Sequence, residues 1–184
     1  MSTLRLNLPI VITLSRIVLI PVFIFTVYVH PLFGAFIFIL ASLTDFLDGY
    51  LARRSGEITK FGIILDPIAD KFLVISALIV LVDMARLPAW IAIVIVAREF
   101  LVTGLRVVAL SKDIVIPAEL GGKLKTTTQI ISIICLIIAR SIHPVDLYDV
   151  GLVLIWIALA LSIISGVQYT ASFWKKYEEK YVIK

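Results

Sequence analysis

Charged residues and thiols are scarce in this chain of 184 residues. Charged side chains make up 16% of it, cysteine occurs once and histidine twice, whereas 61% of the residues are hydrophobic and the mean hydropathy is +1.09. Soluble domains carry roughly 25% charged residues, so a soluble globular protein is excluded. A disordered chain is excluded by the same surplus of apolar residues, and a disulfide scaffold by the single Cys135. The lipid bilayer is the solvent that can cover so much apolar surface.

Hydrophobic stretches of membrane-spanning length recur along the chain. At about 20 residues per crossing, the length suffices for six helices with short connections. We place them at residues 8–29, 32–52, 61–82, 88–110, 126–142 and 150–174. The first is not a removable signal peptide, because equally apolar stretches follow it. The sequence therefore predicts an all-α membrane protein with six transmembrane helices, forming a single domain over residues 1–184.

Basic residues outside these spans lie almost entirely on one side. Six spans put both termini on that side, which holds eleven Lys and Arg against Arg86 and Arg140 on the other. The positive-inside rule then predicts cytoplasmic termini. Such a surface also suits anionic headgroups or phosphorylated substrates, although the lysines of residues 175–184 are equally explained as interfacial. The eleven are Arg5, Arg53, Arg54, Lys60, Lys112, Lys123, Lys125, Lys175, Lys176, Lys180 and Lys184.

Four aspartates lie inside otherwise apolar spans. Asp45 and Asp48 are near the cytoplasmic end of the second span, and Asp66 and Asp70 are in the first turns of the third. Each pair is spaced i, i+3 or i, i+4, so its members share one helix face, and the short connection makes the two helices antiparallel neighbours. A carboxylate inside a membrane costs about 3 kcal/mol even on the most lenient scales. The spacing therefore predicts that the four carboxylates converge on one point and form a functional site.

Four converging carboxylates need compensating positive charge. Their oxygens suit hard divalent cations such as Mg²⁺ or Mn²⁺, and two such ions balance four negative charges. Zinc is disfavoured, because the cluster contains no histidine or cysteine. The alternative is a set of buried ion pairs with Arg53, Lys71 and Arg98, but the carboxylates outnumber the cations within reach.

The residues between the aspartates form a spaced motif. From Asp45 the chain has D-F-L-D-G-Y-L-A-R. A spacer of eight residues follows, and then G-I-I-L-D-P-I-A-D, which gives the pattern D-x2-D-G-x2-A-R-x8-G-x3-D-x3-D. This pattern resembles the signature of the CDP-alcohol phosphatidyltransferases at every defined position. In the first span, P-I-V-I-T-L-S-R partly resembles a second motif of that family: Thr13 and Arg16 match, whereas Ile10 replaces an asparagine. The resemblance covers the whole chain and implies six spans with a cytoplasmic active site.

The resemblance implies roles for the aspartates. Asp45, Asp48, Asp66 and Asp70 would hold two Mg²⁺ or Mn²⁺ ions, and Asp70 would also act as the general base. The reaction implied is transfer of a phosphatidyl group from CDP-diacylglycerol to the hydroxyl of an acceptor, with release of CMP. The substrate tails would remain among the membrane lipids. The family also suggests a homodimer.

Small and basic residues near the aspartates are candidates for binding the nucleotide. The family's binding site for CDP-diacylglycerol corresponds here to Thr13, Gly49, Ala52, Arg53 and Gly62. Small residues let a nucleotide approach the backbone, although close helix packing explains Gly49 as well, and the planar guanidinium of Arg53 suits a diphosphate. Arg16 needs an anionic partner inside a span, unless its side chain snorkels to the interface.

A second set of charged residues is a candidate binding site for the acceptor. The fourth span contains A-R-E-F-L-V-T-G-L-R, and the following segment contains G-G-K-L-K-T. Arg98, Arg106, Lys123 and Lys125 exceed the cations that topology requires and predict a phosphate pocket, in which Glu99 fixes a cation or binds an acceptor hydroxyl. Both stretches resemble the branch of the family that uses glycerol 3-phosphate. As an alternative, the two lysines are topology markers.

Three functions are compatible with the sequence. The first is phosphatidyl transfer to glycerol 3-phosphate, and the second is the same transfer to inositol phosphate, phosphatidylglycerol or serine. The third is a divalent-cation carrier. Carriers place their site near the membrane midplane between repeated halves, whereas these aspartates lie near one interface and the second half has no matching acidic pair. No nucleic acid partner is expected.

Overall fold

A computed structural model describes residues 8–55, 60–114, 116, 120–139 and 146–181, with side chains for 15–44, 71–114, 116, 124–139 and 146–181. This part of the chain is helical, without strands, which confirms the all-α prediction. The helices are α1 (Leu8–Val29), α2 (Pro31–Ser55), α3 (Lys60–Asp83), α4 (Ala89–Ser111), α5 (Leu120–Ile138) and α6 (Leu147–Tyr181). Buried aliphatic and aromatic side chains from all six helices form the main core.

The predicted bounds hold to within three residues for α1 to α4 but are wrong for α5 and for the end of α6. The sixth span was predicted to end at residue 174, where the apolar run ends, but the helix continues through the charged residues beyond it to Tyr181. The prediction placed α5 at residues 126–142, whereas it occupies Leu120–Ile138. The glycine pair at 121–122 indicated a loop, because glycine disfavours a helix interior. The helix nevertheless includes it, and Lys125 is buried in contact with α4, so tertiary packing outweighs local propensity.

The final helix is longer than a membrane crossing requires. α6 has 35 residues and a window of mean hydropathy 2.6, and among the described residues it is the one helix both long and apolar enough to cross a membrane. Shorter apolar helical stretches are Ser15–Val29, Pro31–Thr44 and Leu124–Ile138. At 1.5 Å per residue α6 is about 52 Å long, against a hydrocarbon layer of about 30 Å. A crossing of that thickness takes about twenty residues, so α6 has roughly fifteen more than a crossing needs.

Two glycines allow close helix contacts in the core. A Cβ atom added to Gly34 of α2 would lie 2.5 Å from the Cα of Val27 in α1. A Cβ on Gly151 of α6 would lie 2.8 Å from the Cγ of Leu136 in α5. The hydroxyl of Ser132 donates to the carbonyl of Gly151 at 2.7 Å. The α1–α2 and α5–α6 pairs therefore approach more closely than larger residues would allow.

Arg86, in the turn between α3 and α4, caps the end of α5. Its side chain is buried, and its Nη1 donates to the carbonyl oxygens of Leu136 at 2.7 Å and Ile137 at 2.6 Å. The last carbonyls of a helix have no partner within the helix, and a cation stabilises that end. The sequence marked Arg86 only as a topology signal; the structure assigns it a packing role as well.

The last turns of α6 hold the segment that follows α4. Lys180 Nζ donates to the carbonyl oxygens of Lys112 at 2.7 Å and Asp113 at 3.2 Å. Phe173 packs with Ile114 in a small second core. The chain that leads towards α5 is therefore anchored to the C-terminal turns of α6.

Candidate active site

The four predicted metal ligands occupy matching levels of α2 and α3. Asp45 and Asp48 lie ten and seven residues before the end of α2, and Asp66 and Asp70 lie six and ten residues after the start of α3. The two helices pack together and are joined by residues 56–59, so they run antiparallel. At 1.5 Å per residue, both pairs lie about 9–15 Å from the joined ends. The four positions are thus at similar distances from the connection between α2 and α3; their side chains lie outside the described residues.

The other predicted nucleotide-site residues and one acceptor-site lysine also have side chains outside the described part. Their backbone positions are helical, and their roles stay predictions. These residues are Thr13 in α1, Gly49, Ala52 and Arg53 in α2, Gly62 in α3 and Lys123 in α5. Among the side chains that are described, no group of three or more His, Cys, Asp or Glu could hold a metal ion.

Arg16 is buried inside the protein. Its side chain is 1% exposed, although the residue lies in an apolar helix one turn after Thr13. The alternative in which it snorkels to the membrane interface is therefore wrong. A buried guanidinium so close to the predicted nucleotide site agrees with the expectation that it serves an anion.

Glu99 is the centre of a charged cluster that joins α4 to α5. Its Oε1 accepts a hydrogen bond from Arg98 Nη1 at 3.1 Å and forms an ion pair with Lys125 Nζ. Lys125 is 3% exposed, so the alternative in which this lysine is merely a topology marker at the membrane surface is wrong. A lysine is buried to this extent only when a charge or ligand faces it. The structure therefore brings three of the predicted acceptor-site residues into direct contact.

Arg98 also fastens this cluster to α6. Its Nε donates to the carbonyl oxygen of Ser162 at 2.9 Å, and its Nη2 donates to Ser165 Oγ at 2.6 Å. Gly166 leaves the room for this, because a Cβ there would lie 3.2 Å from the Cγ of Arg98. Counting the bond to Glu99, three of the five N–H groups of the guanidinium have partners within the described part. Arg98 thus holds the position of Glu99 and has less capacity left for a substrate.

Arg106 occupies a more open position two turns further along α4. It is exposed, and its guanidinium carbon lies 5.9 Å from the centroid of the Tyr169 ring on α6. A cation over an aromatic face is held in place without using its hydrogen-bond donors. Arg106 is therefore oriented by α6 and is accessible to an anion.

Three polar residues that the prediction did not assign to the acceptor site lie in this region. Lys71 Nζ donates to Thr103 Oγ1, whose hydroxyl donates to the carbonyl of Glu99 at 2.8 Å. Gln129, one turn after Lys125, is 4% exposed. A signal for them exists in the sequence, since each is polar, lies in an apolar helix, and is one position or one turn from a residue already assigned.

Comparison with known proteins agrees with this arrangement. Residues 6–164 match the sequence model of the CDP-alcohol phosphatidyltransferases, which generally use divalent metals. The chain is 40% identical to the CDP-diacylglycerol–glycerol-3-phosphate 3-phosphatidyltransferase of Bacillus subtilis, across 92% of this chain and 96% of that protein. The protein of the same name from Rickettsia bellii is also 40% identical, across 93% and 97%.

A third relative is the probable phosphatidylglycerophosphate synthase of Mycobacterium tuberculosis, 40% identical across 90% of this chain and 80% of that protein. The family match begins before α1 and ends within α6, so it includes every helix that bears a predicted site residue. The chain therefore belongs to the CDP-alcohol phosphatidyltransferase family, as the signature across α2 and α3 predicts.

Proposed function

We propose that this protein transfers the phosphatidyl group of CDP-diacylglycerol to glycerol 3-phosphate, forming phosphatidylglycerophosphate and CMP. The observation that carries the proposal is the position of the four signature aspartates in the chain, six to ten residues from the joined ends of two consecutive helices that contact each other. The names of the relatives support the choice of both substrates. The buried, positively charged cluster around Glu99 supports a phosphorylated acceptor.

The divalent metal of this family fits the four aspartates. Asp45, Asp48, Asp66 and Asp70 offer an all-carboxylate donor set, which favours Mg²⁺ or Mn²⁺, and their charge balances two ions per site. When bound, the ions supply positive charge to the diphosphate of the nucleotide substrate.

The residues of the chain bind the nucleotide and move one proton. Asp70 accepts the proton of the attacking hydroxyl, whose oxygen forms the new bond to the phosphorus of the phosphatidyl group. The bond from that phosphorus to the CMP oxygen breaks, and its electron pair leaves with CMP. The residues that hold CDP-diacylglycerol are Thr13, Gly49, Ala52, Arg53 and Gly62, with the guanidinium of Arg53 directed to phosphate oxygens.

The acceptor binds through its phosphate. Lys125, Lys123 and Arg106 contact the phosphate, and Glu99 orients Lys125. Arg98 is a positioning residue, because most of its donors hold Glu99 and α6. Two cations contact the single carboxylate of Glu99, so the described part of the cluster has an excess of positive charge, which suits a dianionic phosphate.

The enzyme lies in the cytoplasmic membrane of a bacterium. Its six helices cross the bilayer as one domain of residues 1–184, with both termini and the active site on the cytoplasmic side. The distribution of Lys and Arg supports this orientation, and the length of α6 supports a crossing with a cytoplasmic extension. Membrane lipids surround the helices, and two copies form a homodimer.

The test is CMP release by purified protein in lipid nanodiscs with CDP-diacylglycerol and Mg²⁺. Glycerol 3-phosphate should support turnover, whereas inositol phosphate, phosphatidylglycerol and serine should not. Asparagine in place of Asp45, Asp48, Asp66 or Asp70 should lower turnover by about a hundredfold or more, since each removes a charge on which the transition state depends. The matched control is Asp149→Asn, an exposed aspartate in the first turn of α6.

Two results would contradict the proposal in different ways. Near wild-type turnover in any one of the four aspartate variants, at saturating Mg²⁺, would show that the convergent site is wrong. Equal use of serine and glycerol 3-phosphate would remove the acceptor assignment and leave phosphatidyl transfer standing.

A further inference from the structure

A small cavity lies where α3, α4 and α5 meet. Its volume is about 40 Å³, and its polar lining consists of Lys71, Glu99, Lys125, Thr126 and Gln129, with aliphatic side chains around them. A cavity of this size holds one water molecule or one hydroxyl group. A whole substrate does not fit, so only a single polar group of a bound molecule can enter.

Gln129 is the residue of this lining whose polar group lacks a partner. Its side chain is 4% exposed, and its Nε2 has no hydrogen-bond partner in the part of the chain that the structure describes. Buried amides are nearly always hydrogen-bonded, so a water molecule or a polar group of a ligand is needed to satisfy this N–H group. Gln129 follows Lys125 by one turn, so the two share a face of α5.

The cavity lies beside both parts of the proposed acceptor site. Lys125 and Glu99 line it, and both belong to the phosphate-binding end. Lys71 also lines it and directly follows Asp70, the proposed base. An acceptor held by its phosphate at Lys125 and by its attacking hydroxyl at Asp70 would have its middle portion near this cavity. In glycerol 3-phosphate that portion is the carbon that bears the secondary hydroxyl.

We propose that Gln129 is a specificity-determining residue that recognises this secondary hydroxyl, an inference that rests on the proposed function. The amide N–H donates to the hydroxyl oxygen, and the hydroxyl donates to the carboxylate of Glu99. A carboxylate has about four acceptor positions, so Glu99 retains capacity beside its two cations. One hydroxyl thus satisfies the amide of Gln129 and fills the cavity.

This contact also distinguishes the two mirror-image forms of the acceptor. With the phosphate and the primary hydroxyl held, sn-glycerol 1-phosphate directs a hydrogen atom towards Gln129 in place of the hydroxyl. The amide then remains buried without a partner, which is the situation that binding sites penalise most strongly. Preference for sn-glycerol 3-phosphate therefore follows from three fixed points of contact.

The test compares Gln129→Met with the wild type on three acceptors in the CMP-release assay. These are sn-glycerol 3-phosphate, its mirror image sn-glycerol 1-phosphate, and 3-hydroxypropyl phosphate, which lacks the secondary hydroxyl. The variant should lower kcat/KM for sn-glycerol 3-phosphate about 10- to 100-fold and leave that for 3-hydroxypropyl phosphate within about threefold. The preference between the mirror images should shrink by the same factor.

Thermal unfolding supplies a second readout. Methionine has nearly the shape of glutamine and no polar group, so replacing a buried amide whose Nε2 lacks a protein partner should change the melting temperature by no more than a few degrees. The matched control is Ser132→Ala, on the same helix and also buried, whose hydroxyl donates to Gly151 of α6. This control should change kcat/KM for the three acceptors by the same factor or not at all.

Several outcomes would overturn the inference. In Gln129→Met they are an equal loss of kcat/KM for all three acceptors, no loss of kcat/KM for any of them, or a large fall in melting temperature. By contrast, a wild-type enzyme that releases no CMP with either form of glycerol phosphate would overturn the proposed function itself.

Discussion

Neutralising Glu99 should destabilise the protein more than removing Lys125. The Oε1 atom of Glu99 contacts both Arg98 and Lys125. If Lys125 is replaced by methionine, the carboxylate retains its 3.1 Å contact with Arg98. Glu99→Gln instead removes the negative charge from two cations at once, and one of them, Lys125, is 3% exposed. The two variants break the same ion pair, yet their costs should differ.

The size of the difference follows from burial. Removing one member of a buried ion pair costs about 3–5 kcal/mol, and the side chain of Glu99 is 21% exposed, so Glu99→Gln belongs at the lower end. In Lys125→Met the remaining hydrogen bond to Arg98 offsets part of that cost, which leaves about 1 kcal/mol. For a protein of this length each kcal/mol shifts the melting temperature by about 2–4 °C. The melting temperature of Glu99→Gln should therefore lie about 4–8 °C below that of Lys125→Met.

The measurement is thermal unfolding of purified variants in one detergent, followed by intrinsic fluorescence. The double variant should melt above Glu99→Gln, because it no longer contains the buried ammonium that the carboxylate neutralised. Glu178→Gln, an exposed glutamate near the end of α6, is the control and should shift the melting temperature by no more than about 2 °C. The reasoning is refuted if Lys125→Met melts as low as Glu99→Gln, or if the double variant melts below both single variants.

Two further predictions concern the ligands. EDTA should stop CMP release, and Mg²⁺ or Mn²⁺ should restore it. Ca²⁺ and Zn²⁺ should restore it poorly, because Ca²⁺ prefers larger and looser coordination and Zn²⁺ prefers nitrogen and sulfur ligands. Full turnover in metal-free buffer would contradict this prediction. Arg106→Gln should raise KM for glycerol 3-phosphate about ten- to hundredfold by removing a charge-assisted contact of roughly 1.5–3 kcal/mol, whereas Arg53→Gln should raise KM for CDP-diacylglycerol. If the Arg106 variant lost affinity for both substrates equally, this arginine would not belong to the acceptor site.

The helices could be located from the sequence because the signal for a span is local. Long apolar runs bounded by proline and charge predicted α1 to α4 closely, since the hydrophobic length that a bilayer requires is contained in each run. The first turns of α5 could not be located in this way. Their glycine pair indicated a loop, whereas these residues are helical in the folded protein, and Lys125 in the next turn is paired with Glu99 of α4.

The roles of the basic residues could be assigned only in part. The surplus of cations in α4 and α5 predicted an anion site, and composition alone supported that. The separate roles of these cations could not be predicted, because Arg98 and Arg106 are the same residue type on the same helix. Arg98 is bound to Ser162 and Ser165 of α6, whereas Arg106 is exposed over Tyr169.

The sequence by itself determined the chemistry of this protein. The spacing of Asp45, Asp48, Asp66 and Asp70 places each pair on one helix face, and helix periodicity is a property of neighbouring residues. Only the tertiary structure decided that Lys125 faces Glu99, that Arg86 caps α5, and that the amide of Gln129 borders a cavity. Each of these features involves more than one helix, so it depends on how the helices pack and has no counterpart in local sequence.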